Sequence, residues 1–210
     1  MSYNFSIKFA ETNNELESIA RLRYDVFNHE FKSKGKTFNT EKKLEWGVYD
    51  ETCEHLICTA NYPDGQSIVV GALRIKLKTK TNDTFQVMQE FKIEEILRSK
   101  KACCEVSRVC ISQSFRNGLA LFKMWQFLFN FLKMKNIKVL FGLGSFNGCD
   151  INLHKDSILS IFNSYVSPFT KAIRSVQNNY ICLLERTSND EVQGVKNIPD
   201  LMKTLSLIHI

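Results

Sequence analysis

Glu105 and Arg108 sit in an otherwise apolar run, Cys103 to Ile111, and Arg23 sits inside the run Ile19 to Phe27. Runs of these kinds are normally buried, and a buried charge is costly unless it is paired and hydrogen-bonded. Charges placed there need partners and mark either a reactive site or a structural ion pair. A carboxylate in an apolar strand is a stronger base than one in water, which suits a proton acceptor. The competing reading of Glu105 is an ion pair with Arg23 or Arg108.

These residues need elements to hold them. Tyr3 to Ala10 reads as a strand. Thr12 or Asn13 can cap a helix, with Glu15 and Glu17 in its first turn. Leu16, Ile19, Ala20 and Phe27 form the apolar face of that helix, and Arg23 falls on the same face. Residues 32 to 47 are polar, rich in lysine and read as a loop. His55 to Tyr62 and Ser67 to Leu77 read as a hairpin across Pro63-Asp64-Gly65-Gln66. Gln89 to Ser99 reads as a helix, Ala102 to Ile111 as a strand and Gly118 to Lys135 as a long helix. Val139 to Phe146 reads as a buried strand, His154 to Tyr165 as a helix and Tyr180 to Glu185 as a final strand. This order indicates one α+β domain over residues 1–204. Strict alternation puts residues 105 and 108 on opposite faces of their strand. Both reach one site only if a β-bulge lies between them.

Composition bounds the function. The 210 residues are 44% hydrophobic and 24% charged, ordinary globular usage, and the net charge of +6 suits acidic partners or, equally, simple solubility. No recognition-helix or base-stacking pattern supports nucleic acid as that partner. The seven cysteines include no Cys-x-x-Cys pair, so metal-ligand spacing is absent, and they read as small buried hydrophobes in a reducing cytosol. The N-terminus has no basic and apolar leader pattern. Leu119 to Met134 is too interrupted by Lys123, Gln126, Asn130 and Lys133 to span a membrane. Leu205-Ser206-Leu207-Ile208-His209-Ile210 is what a transposon mosaic end encodes, so residues 205–210 read as a non-native tail on a truncated chain.

Five segments carry a resemblance: Leu22 to Phe27, Tyr49 to Ile57, Val70 to Arg74, Glu105-Val106-Ser107-Arg108, and Phe141 to Asp150. In this order they resemble the GNAT-like acyltransferase superfamily. The likeness is to the branch holding acyl-homoserine-lactone synthases, long-chain N-acyl amino acid synthases and the ornithine N-acyltransferases of ornithine-lipid synthesis. Asp50-Glu51-Thr52-Cys53-Glu54-His55-Leu56 and Gly144-Ser145-Phe146-Asn147-Gly148-Cys149-Asp150 point to the ornithine group. The resemblance implies a mixed, mostly antiparallel sheet with helices on both faces. It also implies transfer of a long, often 3-hydroxylated acyl chain from acyl carrier protein to a primary amine. The acyl-phosphopantetheine of the carrier is then the donor substrate, and no resident cofactor or metal is expected.

The resemblance implies roles as well. Glu105, Arg108, Arg23 and Asp50 are the candidate catalytic residues, with Glu105 accepting the amine's proton or orienting the amine. GNAT-like folds carry a bulge in the equivalent strand, so one is predicted here near Val106 or Ser107. Phe27, Arg74, Ser107 and Ser145 are candidate substrate contacts, and Arg74 shares a strand face with Lys76. An acidic residue three before Asp50 is usual in the family. Gly47 stands there, and the nearby Glu45 is the candidate substitute. Gln113 to Ala120 resembles the family's pyrophosphate-binding turn, with Arg116, Asn117 and Gly118 as its candidates. Phe115 stands in the first position and Arg116 is shifted by one, which fits a carrier's single phosphodiester. Lys32, Lys34, Lys36, Lys42 and Lys43 are a candidate docking surface for carrier protein or for an anionic membrane at the inner face. Cytoplasmic residence follows from the same reading. An inactive carrier-binding protein or a nucleic-acid-binding module are the alternatives of another class.

Overall fold

The computed structural model describes residues 2–79, 83–144 and 173–176. β1 (Asn4–Phe9) leads to α1 (Asn13–Arg23). Thr12 caps the helix: its hydroxyl accepts from the Glu15 N–H while the Glu15 carboxylate accepts from the Thr12 N–H, a reciprocal capping box. The helix runs on as a π-helical stretch, Tyr24–Glu30. Such widened turns cluster at functional sites.

β2 (Phe38–Asn39) and β3 (Leu44–Glu45) pair antiparallel inside the stretch expected to be loop. Two strands of two residues leave too little period-2 pattern to be read from sequence. β4 (Glu54–Asn61) and β5 (Ser67–Leu77) form the expected hairpin. Its turn uses Gly65 at φ 89°, and the Gln66 N–H donates to the Asp64 carboxylate.

β6 (Phe91–Lys92) and α2 (Glu94–Arg98) follow. The helix expected over Gln89 to Ser99 is thus cut to five residues, because Phe91–Lys92 instead pairs with β9 (Arg174–Ser175). β7 (Cys103–Ile111), α3 (Leu119–Met134) and β8 (Val139–Phe141) complete the described elements. β8 is half-buried rather than buried. The elements expected over 154–165 and 180–185, and the boundary at residue 204, lie outside the described residues.

Two compact units result. One comprises Met1–Gln86 with Lys101–Gly142, and the other Val87–Lys100 with Leu143–Ile210. In the second, Val87, Ile93 and Ile96 are buried. The first holds a five-stranded sheet in the order β1-β4-β5-β7-β8. Its first three pairings are antiparallel and β7–β8 is parallel. This is the expected α+β architecture: a mixed, mostly antiparallel sheet with helices on both faces.

α1 packs on one face through Ile19, Leu22 and Val26 against Ile57, Ala72 and Cys110. α3 covers the other with Ala120, Met124, Trp125, Leu128 and Leu132 buried. There Gly71 lets the helix come close: a Cβ would sit 2.7 Å from both the Met124 sulfur and Ile111 Cδ1. No helix among the described residues is long and apolar enough to cross a membrane.

Candidate active site

The charges singled out in the sequence meet on the α1 face of the sheet. α1 delivers Arg23, which is 1% exposed. Its Nε donates to Glu45 Oε2 at 2.5 Å, and Nη1 and Nη2 donate to the two Asp50 oxygens at 2.8 and 3.2 Å. The Trp46 ring covers the guanidinium at 5.6 Å. Asp50 also accepts from Arg74 Nη1 at 3.0 Å and from the Gly47 N–H at 2.7 Å. Arg74 Nε donates to Ser107 Oγ at 3.0 Å and its Nη2 donates to Gln86 Oε1. The Gln86 N–H in turn donates to Glu105 Oε2 at 3.0 Å. Arg108 Nε donates to Glu45 Oε1 at 3.0 Å. One linked array therefore runs from Arg108 through Glu45, Arg23, Asp50, Arg74 and Gln86 to Glu105.

The bulge that this requires is present, one residue beyond its expected place. Ser107 pairs with Arg74 and Cys110 with Ala72, so Arg108 and Val109 together oppose Leu73. Arg108 takes φ 54°, the left-handed region, which costs a non-glycine residue about 1 kcal/mol or more and recurs at functional sites. The extra residue breaks the alternation and lets Arg108 join the array that Glu105 and Ser107 face.

Glu45, the candidate substitute for an acid at Gly47, joins the array. It is fully buried and holds two arginines. An acid at Gly47 would press on Thr37, since a Cβ there would lie 2.6 Å from Thr37 Cγ2.

Burial alone would raise the Asp50 pKa. The Arg23 hydrogen bonds and charge, then Arg74 and the Gly47 N–H, overcome it and hold the carboxyl down to about 2. Burial likewise works against charged Arg23, yet Asp50 and Glu45 hold its pKa above the ordinary value. His55, 4% exposed, stacks on Trp46 at 4.8 Å, and its Nε2 lies 3.1 Å from the Asp50 carbonyl oxygen. Burial depresses its pKa, with Arg23 and Arg74 adding to the effect against Asp50, so the ring is neutral at pH 7. Burial also pushes Cys58 up to about 11 and Cys110 to about 12, which leaves both as thiols and poor nucleophiles.

The remaining candidates lie elsewhere. Phe27 packs against the apolar cluster under α1. Arg116 Nη1 and Nη2 donate to the Glu30 carboxylate, and Asn117 Oδ1 accepts from the Leu119 N–H at 3.1 Å. Gly118 caps α3 at φ 88° with open space around it. Lys32, Lys34, Lys36, Lys42 and Lys43 are all exposed. Ser145 lies outside the described residues. Nothing in the residue pattern pointed to Gln86, and His55 was visible only as a letter inside the Asp50–Leu56 motif.

The chain matches the family model described as the acetyltransferase (GNAT) domain over residues 22–126, half its length. It is similar to an L-ornithine N(alpha)-acyltransferase of Rhodobacter capsulatus, 24% identical over 204 residues that cover 95% of this chain and 79% of the relative. It is 22% identical to another of that name from Brucella abortus, covering 95% of this chain and 74% of the relative. Among solved structures, the AHL synthase LasI aligns with a TM-score of 0.49 at 17% identity, over 76% of this chain and 79% of that one. FeeM, an N-acyl amino acid synthase from uncultured soil microbes, aligns at 0.42 and 10% identity, over 66% and 70%.

Proposed function

We propose, from the premise that this chain belongs to the acetyltransferase (GNAT) domain family and is an N-acyltransferase, that it acylates the α-amine of ornithine. The donor is a long 3-hydroxyacyl thioester on acyl carrier protein, and the product opens ornithine-lipid synthesis. The observation that carries the reading is the array on the α1 face, in which a buried Glu105 is wired through Gln86 and Arg74 to Asp50. The 24% identity over 95% of the chain to a protein named for ornithine acylation supports the acceptor.

Attack needs a neutral amine, a path for its proton and stabilisation of the thioester oxygen as it gains charge. Glu105 takes the proton, directly or through one water. The amine nitrogen forms a bond to the thioester carbon, the carbon–sulfur bond breaks, and the carrier's thiolate leaves and takes up a proton. Arg108, the partly exposed arginine of the array, sets the acceptor's carboxylate end, since a planar guanidinium fork matches a carboxylate. Among the described residues, β7 pairs β8 over Cys103–Glu105 and continues to Ile111. The length beyond that pairing suits an extended pantetheine arm laid along the strand. The turn at Arg116, Asn117 and Gly118 is then the place of the donor phosphate, at the N-terminus of a sixteen-residue helix. The exposed lysines between residues 32 and 43 suit an acidic carrier.

The test is thiol release from 3-hydroxypalmitoyl carrier protein with ornithine added or withheld. Ornithine-dependent release is expected, and Glu105→Gln should lower it by about 10²–10⁴-fold with little change in Tm. Release that follows another amino acid or S-adenosylmethionine would move the acceptor assignment. An unaltered rate in Glu105→Gln would remove the base assignment.

A further inference from the structure

Arg116 is the one charged residue between Ser112 and Gly118, the turn that joins β7 to α3. Its guanidinium is engaged on three sides. Nη1 and Nη2 donate to the two Glu30 oxygens, the second at 2.6 Å, and Nε donates to the Ile111 carbonyl at 3.0 Å. The group lies over the Phe31 ring at 5.3 Å. Glu30 closes the π-helical stretch that continues α1, so the pair ties two separate elements together. The Arg116 hydrogen bond holds the Glu30 carboxyl below its usual range, which keeps it ionised at neutral pH. Between the same two elements lies a cavity of about 180 Å³ whose polar lining is Asp25, His29, Glu30, Ser112 and Gln113.

A phosphate arriving at this turn meets an arginine whose bidentate face is already taken by a carboxylate. It gains Arg116 only by displacing Glu30, and an unpaired Glu30 then repels it. The two side chains are 35% and 27% exposed, so the pair is the kind that opens at small cost.

We propose that the Glu30–Arg116 pair is a latch on donor binding: Arg116 is the anchor for the donor's phosphodiester and Glu30 is the resident anion it must displace. The proposal rests on reading this turn as the donor-phosphate site. Its consequence is selectivity with weak binding. An arm without a phosphate leaves the latch shut, and a spent carrier is released as Glu30 returns to Arg116.

The test needs no acceptor. Binding of 4′-phosphopantetheine and of pantetheine to the full chain is measured by calorimetry. Glu30→Gln should tighten 4′-phosphopantetheine by roughly three- to fivefold and leave pantetheine unchanged. Arg116→Gln should bind the two compounds alike, which tests the anchor even if the first variant folds poorly. Equal tightening of both compounds in Glu30→Gln, no tightening of either, or a phosphate preference that survives Arg116→Gln would each overturn the latch. A wild-type chain that shows the latch but releases no thiol with ornithine would sink the acceptor reading alone. One that acylates ornithine while Glu30→Gln binds as wild type would sink the latch alone.

Discussion

On the α3 side of the sheet, Cys58, Gly71, Ile111 and Met124 meet in contact, and Leu73 and Ile75 follow Gly71 at period 2 in β5, fully buried. On the α1 side, the next residues of the same strands are His55, Arg74, Ser107 and Glu105. Three strands, β4, β5 and β7, thus build an apolar face and a charged face from alternate positions. The apolar face needs only volume. The charged face needs each partner in place, because a buried ion pair contributes little net stability while a broken one is strongly unfavourable. A fold that only had to be stable would not put three arginines and three carboxylates there. The contrast is the physical reason for assigning chemistry to the α1 side and structure to the α3 side.

The largest effects should come from breaking the charged face. Asp50→Ala leaves Arg23 and Arg74 buried without their shared partner, and should cost about 3–5 kcal/mol in urea unfolding. Leu128→Ala, at a fully buried position on α3, should cost about 3 kcal/mol by cavity formation. The division of labour is sharpened by activity per folded molecule, which Leu128→Ala should leave intact. A rate lost in proportion to packing on both sides would dissolve the distinction.

Acid should find the charged face next. Asp50 is held at about 2 against an ordinary 3.8, so its contribution is complete above about pH 4 and is lost as pH falls toward 2, about 2 kcal/mol in all. His55 adds to this earlier in the descent. Its folded pKa lies below 6.5, so the unfolded chain takes up the proton first and stability falls as pH drops below about 6.5. Unfolding midpoints between pH 7 and 2 should therefore decline in two stages. Asp50→Asn should flatten the lower stage and His55→Gln the upper one. A single featureless decline shared by both variants would show that neither group titrates as its surroundings require.

Much of this was legible in the sequence where one strong signal acted alone. The capping box at Thr12, the Gly65 turn and the long apolar face of α3 each rest on local chemistry. Arg23 was placed correctly because helical spacing put a charge on an apolar face. Glu45 was visible only as a possible substitute, since it lies in a lysine-rich stretch whose two short strands carry no periodic pattern. The bulge was expected because alternation requires one to turn Arg108 and the family resemblance implies one, but its position depends on which residue accepts a left-handed backbone, and a one-residue error resulted. Gln86 acts partly through its backbone N–H, which any residue but proline supplies, so its identity carried no signal.

The smallest predicted effect concerns Gly47, where the family resemblance led us to expect an acid. A Cβ at residue 47 would press on Thr37 Cγ2 at 2.6 Å, while the Gly47 N–H feeds Asp50 at 2.7 Å. Gly47→Ala should cost about 1 kcal/mol, the low end for overpacking, because the Thr37 side chain can turn aside. Thr37→Ser removes the offending methyl, so the double variant should recover most of that loss. The coupling read from such a cycle separates a clash from a general loss of flexibility. If Gly47→Asp in the Thr37→Ser background also leaves transfer activity unchanged, Glu45 already supplies the charge that an acid at 47 would bring. If it raises activity, the array is one carboxylate short.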